Sequence, residues 1–145
     1  MYYYCLSTLP AFATVRPKPT SLSSNRAIPI RAMKAVVQRV ASASVEMEGR
    51  TISSIGPGLL ILVGLRITDS GSDAEYMSLE CLWFLCTCCG LTVSQFTLYG
   101  FLKGNKPDFH VAMAPDKAKP FYSSLVESFR KSYKPDAVKG ETFLL

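Results

Sequence analysis

The order of apolar and polar positions after residue 32 predicts β structure. Residues 33–40 are rich in β-branched side chains, which favours a first strand. Residues 43–48 alternate between apolar and polar, and residues 51–55 return after a short turn, a pattern typical of a hairpin. Residues 59–65 form a continuous apolar run of the kind found in strands that are buried on both faces. The first part of the domain is therefore predicted to be a small sheet.

Two later segments have the composition or the spacing of helices. Residues 74–85 contain helix-forming residues behind Asp73, which we interpret as the N-terminal cap, but their apolar positions do not define one face. Residues 115–133 predict a clearer helix, because Pro115 suits a first turn and Leu125 belongs to an apolar series repeated every four positions. Pro135 ends this helix, since proline cannot continue it.

The stretch between these helices is predicted to contain one more strand and a long loop. Residues 91–98 have the apolar character of a strand, and residues 99–114 form a loop of a length usually reserved for function. Strands, a helix, another strand and a second helix together indicate an α+β, or mixed α/β, domain.

The first 32 residues differ in composition from the rest of the chain. No Asp or Glu occurs before Glu46, whereas prolines, hydroxyl-bearing side chains and basic residues are frequent. Such a leader resembles an organelle transit peptide. The other interpretations are a disordered tail, or sequence upstream of the true start, since Met33 could itself begin the domain. We therefore expect residues 33–145 to form the domain. The formal net charge of +5 fits an anionic partner such as RNA without determining the fold.

Four of the five cysteines lie between residues 81 and 89. Structural zinc usually takes two separated pairs of cysteines, so this single apolar segment favours buried thiols over a metal site. We expect no metal, no other cofactor and an intracellular, reducing compartment. No apolar stretch reaches the roughly 20 residues that a membrane-spanning helix needs, so no membrane span is expected.

The candidate chemistry lies at residues 94–98. If this stretch is a strand, Gln95 and Thr97 share one face and together can hold an ester carbonyl or a water molecule. Thr97 is a poor nucleophile without a base, and His110, the single histidine, is more typical of a surface loop residue. Polar groups at a strand end also often satisfy only backbone groups, and the residues alone leave that alternative open.

The sequence Ser94-Gln95-Phe96-Thr97-Leu98 resembles the signature of the D-aminoacyl-tRNA deacylases, also called D-tyrosyl-tRNA deacylases. Further segments resemble the family in the right order: residues 33–40, residues 43–49, residues 55–60, residues 106–110 and residues 115–118. Together these segments lie within about two thirds of the chain, namely residues 33–73 and 92–139.

This resemblance implies a barrel-like sheet with helices packed on it, and a homodimer that cleaves the ester between a D-aminoacyl group and tRNA without a metal. The catalytic residues that it implies are Ser94, Gln95 and Thr97, with Thr97 either the nucleophile or a partner in hydrolysis assisted by the terminal ribose hydroxyl. The residues that it implies for substrate binding are Phe96, Phe109, Ala112 and, as a support for a motif from the partner subunit, Arg39. The cytoplasm is the expected compartment, or a chloroplast or mitochondrion if residues 1–32 are a transit peptide.

The sequence departs from the family pattern in two places. The family's C-terminal strand carries Asn-x-Gly-Pro, whose cis proline excludes L-amino acids, and no Gly-Pro follows Thr97 here. Residues 74–91 are expected to diverge from the family. We therefore carry three hypotheses: an active deacylase, a catalytically impaired variant that binds tRNA or dimerises, and a fragment without a function of its own.

Overall fold

A computed structural model describes residues 3–12, 33–85 and 89–141, with the backbone alone described at 3–12, 82–85 and 141. The strands are, in chain order, β1 (Tyr3–Phe12), β2 (Lys34–Met47), β3 (Arg50–Ile55), β4 (Gly58–Gly64), β5 (Cys89–Ser94), β6 (Phe101–Lys103), β7 (Lys106–Asp108) and β8 (Val138–Glu141). The helices are α1 (Gly71–Leu85) and α2 (Pro115–Ser132), and 3-10 turns form at Phe96–Tyr99 and Pro135–Ala137.

The main sheet curls into a nearly closed barrel. Its strands follow the order β1-β2-β4-β5-β8, and β3 pairs with the second half of β2. The pairs β4–β5 and β5–β8 are parallel, whereas β2 is antiparallel to β1, β3 and β4. Lys139 Nζ on β8 donates to the Ser54 carbonyl oxygen on β3 at 2.7 Å, which links the two sides of the curl. The prediction of an α+β domain with a barrel-like sheet is thus confirmed.

Alternation along β4 divides the apolar residues into two clusters. Leu60 points into the barrel, where it packs with buried residues of β2, β3 and β5. Ile61 and Val63, both fully buried, point outward to α1 and α2. The buried residues of α2 are Tyr122, Leu125, Val126 and Phe129. The predicted apolar series is thus buried at Leu125 and Phe129 and half-buried at Phe121. The continuous apolar run of β4 reflects burial on both faces.

Several elements differ in extent from the sequence prediction. Residues 33–40 and 43–48 belong to one continuous strand, β2, because its two halves pair with β4 and β3 in turn. Ser70 precedes α1, and its backbone N–H and its hydroxyl donate to Asp73 Oδ2 at 2.8 Å and 2.7 Å. Asp73 therefore lies inside the first turn, and its prediction as the N-terminal cap residue is wrong. The predicted loop 99–114 contains the β6–β7 hairpin, and β8 follows α2 as an unpredicted strand.

Strand β1 lies within the segment that we placed outside the domain. Tyr3–Phe12 pairs antiparallel with β2, with a register that runs from Tyr3 opposite Glu46 to Phe12 opposite Gln38. The transit-peptide role of residues 1–32 stays a prediction. In the described part of the chain, no helix combines the length and the apolarity needed to cross a membrane.

Candidate active site

The candidate residues follow the carboxyl end of β5, beside the carboxyl end of β4. Ser94 is the last residue of β5 and lies opposite Val63 of β4. The Gln95 N–H then donates to the Val63 carbonyl oxygen at 2.7 Å, which holds the chain as it leaves the sheet. Loops at the carboxyl ends of parallel strands are a common location for ligand sites.

The strand ends earlier than the sequence predicts. It stops at Ser94, and Phe96–Tyr99 form a 3-10 turn, so the prediction of a strand through Leu98 is wrong. Gln95 and Thr97 nevertheless meet, because Gln95 Nε2 donates to Thr97 Oγ1 at 2.5 Å. The turn, and not the alternation of a strand, brings the amide and the hydroxyl together. Thr97 is exposed and Gln95 is half-buried, so neither side chain is covered by the core.

Two residues that the sequence analysis missed fix this turn against the sheet. Gly64, at the end of β4, has no side chain where the turn packs: a Cβ there would lie 2.8 Å from Leu98 Cβ and 3.2 Å from the Tyr99 ring. Lys34, opposite Gly64 on β2, donates from Nζ to the Leu98 carbonyl oxygen at 3.1 Å and lies 4.6 Å from the Tyr99 ring centroid. A glycine within an apolar strand indicates that another part of the chain approaches the backbone closely. Gly64 could have been identified from the sequence on this basis.

An aromatic pair borders the turn. The Phe96 and Phe109 ring centroids are 5.0 Å apart at an interplanar angle of 62°, an edge-to-face arrangement. The absence of a side chain at Gly100 makes room for the Phe109 ring, 2.6 Å from where a Cβ would be. Ala112 donates its N–H to the Phe109 carbonyl oxygen at 2.9 Å and bridges to Arg66 after β4. The structure therefore brings Phe96, Phe109 and Ala112 to the same end of the sheet as Gln95.

Arg39 lies elsewhere in the same chain. It is exposed on β2 and pairs with Leu59, whereas Ser94 pairs with Val63. Four residues along β4 correspond to about 13 Å of strand. Within one chain, the structure does not bring Arg39 to the group around Gln95 and Thr97.

Two partly buried polar residues after β4, Arg66 and Asp69, lie close enough to the turn to affect the pKa of Tyr99. The Arg66 N–H donates to Asp69 Oδ2 at 2.6 Å, and burial raises the pKa of Asp69. Burial, with the nearby Asp69 charge as the second cause, raises the pKa of Tyr99 to about 12. The Tyr99 phenol is therefore protonated at neutral pH and cannot serve as a base.

His110 interacts with the neighbouring Asp108 carboxylate. Its Nδ1 lies 2.9 Å from Asp108 Oδ1, and its backbone N–H donates to the same oxygen at 3.0 Å. These two hydrogen bonds lower the pKa of Asp108, and the His110 side chain is 67% exposed. The pair orders the loop beside Phe109 and leaves His110 at the surface, as its sequence context indicates.

The cysteines differ in their surroundings. Cys81 is buried, and burial raises the pKa of its thiol to about 11, whereas Cys89 is exposed. The expected burial of Cys86 and Cys88 concerns residues outside the described ranges. Among the described residues, no three His, Cys, Asp or Glu side chains lie together in a way that would hold a metal ion.

Comparison with known proteins shows what this chain is similar to. The family model described as D-Tyr-tRNA(Tyr) deacylase matches residues 36–84 and 87–144, which includes most of the segment that we expected to diverge. D-aminoacyl-tRNA deacylase 1 of Danio rerio is 42% identical over 127 residues, which cover 77% of this chain and 61% of that protein. The chain thus spans about three fifths of that relative's length. D-aminoacyl-tRNA deacylase of Dictyostelium discoideum is 41% identical over 128 residues, covering 77% of this chain and 85% of that protein.

Solved structures show the same fold. A protein described as c-Myc DNA Unwinding Element Binding Protein superposes with a TM-score of 0.69 at 40% identity, over 74% of this chain and 84% of that one. A probable eukaryotic D-amino acid tRNA deacylase superposes with a TM-score of 0.62 at 15% identity, over 77% of this chain and 88% of that one. The second likeness concerns the fold alone.

Proposed function

Because the chain belongs to the D-Tyr-tRNA(Tyr) deacylase family, we propose that it hydrolyses the ester bond of D-aminoacyl-tRNA. The products are a free D-amino acid and tRNA, so the role is chiral proofreading in translation. The single observation that carries the proposal is the family match over residues 36–84 and 87–144, which includes the whole candidate site. Thr97 is exposed beyond the carboxyl end of β5, and its hydroxyl accepts a hydrogen bond from the Gln95 amide. The ester of the substrate would bind next to this hydroxyl.

The proposed reaction needs one water molecule and no redox partner. The water oxygen attacks the ester carbonyl carbon, the bond from that carbon to the ribose oxygen breaks, and the ribose oxygen takes up the proton. An aminoacyl ester is already reactive, so positioning and hydrogen bonds to the developing oxyanion can account for most of the acceleration.

We assign the catalytic roles to Ser94, Gln95 and Thr97. A nucleophilic threonine must lose its proton to a base. The hydrogen bond between Gln95 and Thr97 has the amide as donor, and an amide cannot take the hydroxyl proton. This geometry favours water as the nucleophile, with the Thr97 hydroxyl and the Gln95 amide orienting the ester and the substrate's ribose hydroxyl assisting.

We assign substrate binding to the surrounding residues and a partner subunit. Phe96, Phe109 and Ala112 border the space next to Thr97 and would contact the amino-acid moiety. Arg39 lies about 13 Å of strand away from Ser94, so its proposed role requires a second copy of the chain, and we propose a homodimer. The cytoplasm is the proposed compartment; a fluorescent fusion of residues 1–32 tests targeting to a chloroplast or mitochondrion instead.

The proposal is tested by deacylation of D-Tyr-tRNA and L-Tyr-tRNA. We expect the protein to release D-Tyr, and Thr97→Ala and Gln95→Ala each to lower kcat about 100-fold, as the loss of one oriented hydrogen bond does. Thr51→Ala, which removes an exposed threonine hydroxyl from β3, is the matched control and should leave kcat unchanged.

Each contrary outcome has a distinct meaning. Cleavage of neither ester, with tRNA retained on a filter, would favour a catalytically impaired RNA-binding variant. Equal activity of Thr97→Ala and the wild type would overturn the site assignment but not the function. Cleavage of both the D and the L ester would show that this chain hydrolyses the ester without chiral discrimination.

A further inference from the structure

The β6–β7 hairpin extends directly from the candidate active site. Its first strand follows the 3-10 turn that carries Thr97, and its second strand precedes Phe109. The two-residue turn Gly104-Asn105 joins the strands, with Gly104 at φ +66°. Any ligand that has one end at Thr97 and continues outward past Phe109 would therefore meet this hairpin.

One face of the hairpin carries two lysines in direct opposition. Lys103 pairs with Lys106 and Phe101 pairs with Asp108, so these four side chains share a face. Both lysines are exposed, and within the ranges described by the structure neither forms an ion pair. Like charges directly opposite each other destabilise a strand pair. A bound anion between the ammonium groups would remove that repulsion.

The same face offers an aromatic surface. The Phe101 side chain is 44% exposed, and its ring centroid lies 5.7 Å from the imidazole of His110. Asp108 is the one acidic residue of this face, and its carboxylate accepts two hydrogen bonds from His110. Lysines beside an exposed aromatic ring are typical of sites for single-stranded nucleic acid. The lysines bind its phosphates, and the ring stacks on a base.

We propose that the Phe101, Lys103 and Lys106 face of the β6–β7 hairpin binds the phosphates and a base of the single-stranded 3′ end of the RNA substrate. The inference rests on the proposed function for its placement, because the acyl group at Thr97 locates the terminal nucleotide. The nucleotides before it then pass along the hairpin. The opposite face, with Leu102 77% exposed, takes no part.

Binding of uncharged tRNA, measured by fluorescence anisotropy at 50 and 200 mM salt, tests the lysines independently of catalysis. If each lysine neutralises one phosphate of a single strand, raising the salt should weaken wild-type binding about sevenfold more than it weakens Lys103→Ala/Lys106→Ala binding. The matched control is Lys131→Ala/Lys134→Ala, which removes two exposed lysines at the C-terminal end of α2. It should retain the wild-type salt dependence.

The aromatic contact has a matched control on the opposite face. Phe101→Ala should weaken tRNA binding about fivefold or more, the effect of losing one base stack, whereas Leu102→Ala should leave it unchanged. Equal losses in both variants, or a salt dependence of the double-lysine variant equal to that of the wild type, would overturn the inference. If a hairpin variant instead loses self-association in sedimentation while it keeps its affinity for tRNA, the inference is overturned. The hairpin face would then bind a second copy of the chain.

A small substrate separates this inference from the proposed function. The D-tyrosyl ester of adenosine contains the scissile bond but no phosphate backbone. Lys103→Ala/Lys106→Ala should hydrolyse it as fast as the wild type does, and should show a raised KM with unchanged kcat on D-Tyr-tRNA. If the wild type hydrolyses neither ester, the proposed function fails, and the binding measurements still decide the role of the hairpin.

Discussion

Strand β4 and the segment after β5 are neighbours in space but are held in different ways. β4 is buried on both faces, and apolar side chains of the barrel interior and of the helix layer surround it. Residues 94–113 leave the sheet, turn twice and keep most of their side chains half-buried or exposed. Besides the packing of Leu98 and Tyr99 on Gly64 and the Phe96–Phe109 ring pair, individual polar contacts hold this segment: Lys34 to Leu98, Gln95 to Thr97 and His110 to Asp108.

This difference separates stability from function in the molecule. In the sheet, many apolar side chains contribute to the buried core, so the fold tolerates substitutions that conserve apolar character and volume. In the segment 94–113, each contact sets the position of one candidate site residue. Damage to the core is therefore expected to unfold the chain, whereas damage to the segment is expected to lower activity in a chain that remains folded.

The largest expected effect comes from Phe129 of α2, which is fully buried against the outer face of the sheet. Phe129→Ala removes a large apolar side chain and leaves a cavity, so the free energy of unfolding should fall by about 3 to 5 kcal/mol. Urea denaturation followed by circular dichroism measures the change. Below its unfolding midpoint the variant should retain wild-type kcat on D-Tyr-tRNA.

Ser124→Ala, on the exposed side of the same helix, is the control and should unfold close to the wild type. A Phe129→Ala protein with near wild-type stability but little activity would contradict the division between core and segment. It would mean that α2 positions the site directly.

The division also explains which features the sequence predicts. The stripe of Leu125 and Phe129 and the apolar run of β4 repeat one signal over many residues, so the local pattern determines the element. The 3-10 turn at Phe96–Tyr99 has no such repetition: residues 91–98 have strand composition, and the chain turns because Gly64 and Lys34, distant in sequence, accommodate it. Gln95 and Thr97 were found from a short signature, but their contact depends on that tertiary packing.

Gly64 tests the segment with an intermediate expected effect. In Gly64→Ala the new Cβ would approach Leu98 Cβ to 2.8 Å, so the 3-10 turn must shift outward. Overpacking of this kind costs about 1 to 3 kcal/mol. Because Thr97 lies in the displaced turn, kcat on D-Tyr-tRNA should fall by a larger factor than it does in Phe129→Ala.

The control for this substitution is Gly56→Ala, since a Cβ at Gly56 would meet no atom within 4 Å. Its stability should match the wild type or exceed it slightly, as the loss of glycine restricts the unfolded chain, and its kcat should match the wild type. Full activity in Gly64→Ala would show that the turn's position against β4 is not what sets the catalytic geometry.

The smallest expected effect is a pH-dependent change in Tm, which distinguishes the segment 94–113 from the sheet. Because His110 donates two hydrogen bonds to Asp108, the pKa of that carboxyl lies below its ordinary value of 3.8 in the folded protein. The stabilisation is therefore present above about pH 4 and is lost as the pH falls through the folded pKa. Asp108→Asn should unfold at a slightly lower Tm than the wild type at pH 6, and the difference should vanish at the acid end of the range.

Asp136→Asn, which neutralises an exposed carboxylate in the turn after α2, is the comparison for Asp108→Asn. Burial of apolar groups does not depend on protonation, so Phe129→Ala should show the same deficit at every pH at which the protein folds. If the Tm difference between Asp108→Asn and the wild type persisted at a pH below the folded pKa of Asp108, the loop would be held by packing and not by the Asp108 carboxylate. The segment 94–113 would then resemble the sheet more closely than its polar contacts indicate.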